Sequence, residues 1–186
     1  PSLAAVLDEV LDQALLLGVI RSQRGRVYAF DHGMLHEAMV ARVERGDGSQ
    51  ATFVDAANGL QARYGKERPD IAALTSDLLW RAGERELAWE RRLRAITRAA
   101  WAGDDFVAGG YLAVARDWAR SDDARRAQVE HAEARVHYFA LRYDRALTHL
   151  TTARELAEAA GDALLVWRCK GLEADVVFYQ DRFARA

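Results

Sequence analysis

The sequence predicts an almost entirely helical protein, and three observations carry that reading. Only two prolines and thirteen glycines interrupt 186 residues, so few positions force the backbone out of a helix. Most windows place apolar residues three and four apart, the period of an amphipathic helix. Beyond the first third, breaks recur at Gly83, Gly103, Ser121-Asp122, Arg142, Gly161 and Asp181. They space the helix starts by about 20 residues, as in stacked helical hairpins of roughly forty residues each.

Taken in order, Leu3, Val6, Leu7, Val10, Leu11, Ala14 and Leu15 share one face, with Asp8, Glu9, Asp12 and Gln13 opposite. That pattern predicts a helix over about residues 3–17, which Gly18 closes. Val19-Ile20 and Val27-Tyr28-Ala29-Phe30 flank a basic turn containing Arg21, Arg24 and Arg26 and read as two short strands, one small β-hairpin. Asp31 stands at an N-cap position, ahead of a second helix over about residues 32–45 with Met34, Leu35, Ala38, Met39 and Val43 on its apolar face. Gly46-Asp47-Gly48-Ser49 ends it. A third helix from about Gln50 to Tyr64 leads into Gly65-Lys66-Glu67-Arg68-Pro69, whose turn residues mark the domain boundary. The organisation expected is therefore 1–65 followed by helical repeats over 66–186. Pro1 opens inside an amphipathic run, which reads as a segment of a longer polypeptide.

Within the second region, Tyr143, Ala146, Leu150 and Ala153 fill the aromatic, small, large-apolar and small positions of a repeat's second helix. This stretch resembles a tetratricopeptide repeat. Ala134 takes the small site of the preceding helix, Phe183 and Ala186 begin the pattern again, and Phe106 and Gly109 begin it earlier. The usual period is about 34, and the proline that often ends the second helix is absent, so the helices are lengthened. The N-terminal third carries another resemblance, in Gly18-Val19-Ile20 and in Phe30, His32, Met34, Leu35, Glu37 and Ala38. It is similar to the end of the winged-helix part of STAND-class signal-transduction ATPases and of bacterial regulators like the maltose-regulon activator. Gly33, His36 and Val40 stand where alanine, arginine and tyrosine are commoner. Leu79-Trp80-Arg81-Ala82-Gly83-Glu84-Arg85-Glu86-Leu87-Ala88 looks like the family's first repeat turn. The fold class implied is all-α: a tetratricopeptide-like right-handed superhelix of helical hairpins, preceded by a partial winged helix.

In such ATPases the winged helix is a regulatory lever, and a histidine in it can sense the nucleotide phosphate. The resemblance nominates His32, the competing role being a local hydrogen bond at the wing-to-helix junction. The function implied is a non-catalytic regulatory and protein-interaction segment of a larger bacterial signalling ATPase or transcriptional regulator. A free-standing peptide-binding scaffold is the alternative. Partner or inducer binding is expected on the concave face of the repeats, with Glu90, Arg94, Arg98, Glu130, Arg135, Tyr138, Arg168 and Glu173 as candidates for a peptide or another domain of the parent chain. Ordinary solvated helix faces are the competing description of those eight. The repeat helix begun at Phe183 would leave an apolar end suited to self-association.

Composition narrows the classes further. With 51% hydrophobic and 29% charged residues and a net charge of −2, the chain is globular and offers no general attraction to phosphate backbones or anionic membranes. Asp8, Glu9 and Asp12 on the first helix oppose DNA binding. No apolar run approaches a membrane span. The lone cysteine, Cys169, fits a reducing, cytoplasmic setting, and beside Arg168 and Lys170 it still reads as a small core residue. No phosphate-binding loop or nucleophile elbow is present, so no catalysis and no cofactor are expected. His32 and His36 are spaced for a shared metal, with Glu37 adjacent, but lack a third ligand. His131, His137 and His149 read as scattered, and no metal is expected. Gly109-Gly110 reads as a close helix contact.

Overall fold

The structure, a computed structural model, describes residues 12–14, 20–23, 27–30, 49–65 and 67–184. Among these the fold is helical apart from one hairpin, and the chain divides into two compact units, Pro1–Gln50 and Ala51–Ala186. In the first unit residues 12–14 are helical. Strand β1 (Ile20–Gln23) pairs antiparallel with β2 (Val27–Phe30), Ile20 opposite Phe30 and Gln23 opposite Val27. The remainder of the helix expected over 3–17, the turn at 24–26 and the helix expected over 32–45, with His32, His36 and Glu37, lie outside the described residues.

Seven helices follow: α1 (Ser49–Tyr64), α2 (Pro69–Arg81), α3 (Arg85–Trp101), α4 (Asp105–Trp118), α5 (Asp123–Phe139), α6 (Tyr143–Ala159) and α7 (Ala163–Ala184). The Gly65 to Pro69 turn, where the sequence reading sets the domain boundary, lies inside the second unit. Past Gln50, α1 belongs there because Ala57 is fully buried with Leu79 of α2 and Ala88 of α3.

The breaks between helices share one chemistry. Gly83, Gly103 and Gly161 each take a positive φ just past a helix end. The next residue's N–H then reaches back to a carbonyl in the last turn, as from Glu84 to Leu79 (3.0 Å), Asp104 to Ala99 (3.0 Å) and Asp162 to Ala157 (2.9 Å). The α5–α6 turn makes the same bond from Arg142 to His137 (2.9 Å), but with Leu141 at φ 57° where the others use glycine. Asp104, Asp122 and Asp162 then cap the following helices by accepting from Val107, Arg125 and Leu165 N–H groups.

Helices α3, α5 and α7 contact one another in sequence, while α4 lies against α3 and α5, and α6 against α5 and α7. Small residues make these approaches close. Ala146, Leu150, Ala153 and Ala157 on α6 are fully buried, and Ala108, Leu112, Ala115 and Ala119 repeat the same spacing on and just past α4. Bonds link equivalent places in successive hairpins: Trp89 Nε1 donates to Gln128 Oε1 (2.6 Å), Arg125 pairs with Glu86, Arg142 pairs with Asp105 (2.6 Å), and Gln180 donates to Asp144 (3.0 Å).

Three sequence expectations are corrected. Phe106 is 91% exposed and Gly109 is exposed, so neither begins a repeat; the register runs through Ala108, one residue short of Gly109. Nothing approaches Gly109 or Gly110 within 4 Å of an added Cβ, so this pair makes no close helix contact. No break occurs at Asp181. With neither glycine nor proline nearby, α7 runs on to Ala184, and Phe183 closes that helix instead of opening another. No helix among the described residues is long and apolar enough to cross a membrane.

Candidate functional site

Residues recurring three and four apart on α3 meet the same pattern on α5 and the first turn of α7, and between them lies a groove of about 1100 Å³. Its floor is apolar: Trp89, Ala132 and Leu165 are almost wholly buried. Trp89 is fixed at its edge by the Gln128 bond and at its face by Arg125, whose guanidinium carbon lies 5.4 Å from the ring centre. One rim is charge-balanced. Arg94 pairs with Glu90 at 2.7 Å, Arg98 with Glu67 and Arg125 with Glu86. Trp101, 67% exposed, projects from the same rim with Arg98 over its ring.

The α5–α7 end differs. Arg135 is partly buried, lies 5.8 Å from the Phe139 ring centre, and faces Arg168. Burial, then Arg168, pulls its guanidinium below the usual value. Among the described residues neither arginine has a carboxylate partner. His131 lines the same groove, and burial, followed by Arg135 and Arg168, pushes its imidazole down to about 4. This end of the groove therefore carries a neutral imidazole and two cations that, among the described residues, form no ion pair; the one carboxylate beside them, Asp162, is engaged in capping α7.

Of the eight groove candidates read from the sequence, Glu90, Arg94, Arg98, Arg135 and Arg168 line this groove. The other three do not. Glu130 faces α6, 2.7 Å from His149; Tyr138 lies among the Tyr143 and Tyr179 rings; Glu173 binds Arg154 at 3.1 Å. The groove also takes Trp89 and Phe139, which as aromatics at helical spacing read mostly as core with a minority on the concave face, and Gln128 and His131, which the sequence did not single out; His131 and Phe139 stand one position past the chosen Glu130 and Tyr138. Cys169 is fully buried, and burial, then Glu173, pushes its thiol up to about 11, so Arg168 and Lys170 do not activate it.

Comparison with protein-family models, curated proteins and solved structures finds no match to the chain.

His131 supplies a pH test. In the folded chain its ring stays neutral down to about pH 4, whereas an unfolded chain takes up the proton below about 6.5. The unfolded state binds more protons in that window, so stability is intact above about pH 6.5 and is lost as pH falls, by up to ~3 kcal/mol near pH 4. Urea unfolding of the His131→Gln variant should show a shallower decline from neutral pH to pH 4 than the parent. Parallel declines would place His131 in water.

Proposed function

We propose that this chain is a non-catalytic protein-interaction module, whose helical repeats hold an acidic peptide segment of a partner along the α3–α5–α7 groove. The observation that carries this reading is the pair Arg135 and Arg168, close enough to repel one another and without an acidic partner among the described residues. A carboxylate in the ligand would relieve that repulsion and gain charge-assisted hydrogen bonds from two guanidinium groups. The apolar floor at Trp89 and Leu165 and the exposed Trp101 would take apolar side chains of the same segment.

The repeats are read as tetratricopeptide-like, on the recurrent glycine turns and the repeated small-residue spacing of α4 and α6. The β1–β2 hairpin ahead of them fits the wing of a partial winged helix. That order supports a regulatory segment of a larger cytoplasmic signalling ATPase or transcriptional regulator, in which partner binding to the repeats shifts how the wing region engages a nucleotide-binding module, with His32 nominated to sense the nucleotide.

The test is fluorescence anisotropy with two labelled peptide pools sharing apolar positions, one carrying glutamate and the other lysine between them. Saturable binding of the glutamate pool alone is expected, weakened at least about tenfold by Arg135→Glu with Arg168→Glu. Equal binding of both pools, or indifference to the double substitution, would defeat the reading.

A further inference from the structure

A different face of α5 carries a second cluster. Glu130, Glu133 and His137 recur at spacings of three and four, so they share a face that meets His149 on α6. Ligand atoms of Glu133, His137 and His149 all lie within 4.8 Å of one another. The two imidazole rings stand 5.2 Å apart, centre to centre, with planes inclined by 20°. His149 Nδ1 is 2.7 Å from Glu130 Oε2 and 3.7 Å from Glu133 Oε2. His137 Nδ1 is buried and has no hydrogen-bond partner, an arrangement that costs free energy unless something else takes the lone pair or proton.

We propose that Glu133, His137 and His149, with Glu130 beside His149, bind a divalent transition ion of the zinc class. Two imidazole nitrogens with a carboxylate suit zinc, cobalt or nickel, whereas magnesium and calcium prefer all-oxygen sets. Three protein ligands leave a fourth position for water. Glu130 serves either as an additional oxygen ligand or as the carboxylate that orients the His149 ring, the usual outer partner of a metal-bound histidine.

Tetrahedral bonds of roughly 2.1 Å set ligand atoms about 3.4 Å apart, so the three groups must draw inward. Their side chains can do so, being long enough to rotate and partly open to water: His149 is 26% exposed and Glu130 25%. Arg116 of α4 pairs with Glu133, and the incoming ion would take its place; at 47% exposure that guanidinium can turn into solvent. The ion would tie α5 to α6 across the turn at Leu141. The site uses none of the groove residues, so the failure of either proposal leaves the other standing.

The experiment titrates the full chain with Co²⁺ as a spectroscopic probe and with Zn²⁺ by calorimetry. One ion per chain is expected, with visible cobalt absorption that zinc removes and a roughly hundredfold excess of magnesium does not. His137→Gln and His149→Gln should each weaken binding by at least about tenfold. To separate ligation from misfolding, Zn²⁺ should raise the parent's melting temperature and shift the ring ¹⁵N resonances of two histidines, with the metal-free variants melting near the parent. Absence of saturable binding would overturn the proposal. So would binding that persists in the doubly substituted chain, or that is lost only on replacing His32 or His36.

Discussion

Truncating Leu150 to alanine is expected to cost about 4 kcal/mol, in the upper part of the range for such substitutions. Leu150 is fully buried, and the buried part of its cluster is mainly alanine (Ala127, Ala134, Ala146, Ala153 and Ala157, with Leu165, Cys169 and Val176), the larger Tyr138, Tyr143, Leu147, Leu156, Val166 and Leu172 packing against it from partly exposed positions. Alanine has no χ angle with which to swing into the space, so the cavity would persist. Leu150→Met, which conserves volume, should cost under ~1.5 kcal/mol. Urea unfolding of the two variants checks the contrast. If Leu150→Ala lost under ~2 kcal/mol, α5 and α6 would have to be able to close up.

The second large effect is expected at Asp77. Arg92 has a side chain only 2% exposed and pairs with Asp77, with Ala73 C=O as a longer acceptor at 3.4 Å. Its guanidinium carbon also lies 4.9 Å from the centre of the Trp118 ring, which stacks on Trp80. Burial is the largest influence on this group and pulls its pKa down, with Asp77 opposing it. Burial likewise raises the Asp77 carboxyl, so desolvation outweighs attraction on both sides of the pair. A pair of this kind adds little net stability, yet removing one partner strands a buried charge. Asp77→Ala should therefore destabilise by ~3 kcal/mol, the lower end for buried pairs, because Asp77 is 48% exposed and water can reach the gap. Adding Arg92→Met to that variant should restore most of the loss. A double variant no more stable than Asp77→Ala would show that Arg92 is held by its aromatic neighbours instead.

The helix breaks at Gly83, Gly103 and Gly161 were legible because the chemistry is local: each glycine takes the positive φ that closes a helix at little steric cost, whereas Gly109 and Gly110, inside an apolar-periodic run, stay helical. Asp181 misled for the complementary reason. An aspartate caps a helix only where the chain has already left one, and nothing around residue 181 makes it leave. The facing of side chains was less legible. A helix turns about 100° per residue, so choosing Glu130 over His131, or Tyr138 over Phe139, moves the selection off the groove. Sequence pattern places such a stripe to within a residue; the contact with the next helix decides it. The His137–His149 pair was hidden more deeply. The two stand on different helices and meet only because the Leu141 turn folds α6 back on α5.

The bonds between equivalent positions of successive hairpins have a kinetic consequence. The longest of them, Trp89 to Gln128 and Arg125 to Glu86, reach 39 residues along the chain. Contacts of such short span require little loop closure before they are rewarded, which favours rapid folding that can begin at any hairpin and spread to its neighbours. The reverse process is equally piecemeal. One pair of helices can yield while those beside it stay formed, so the walls of the α3–α5–α7 groove can part locally without the rest of the array unfolding.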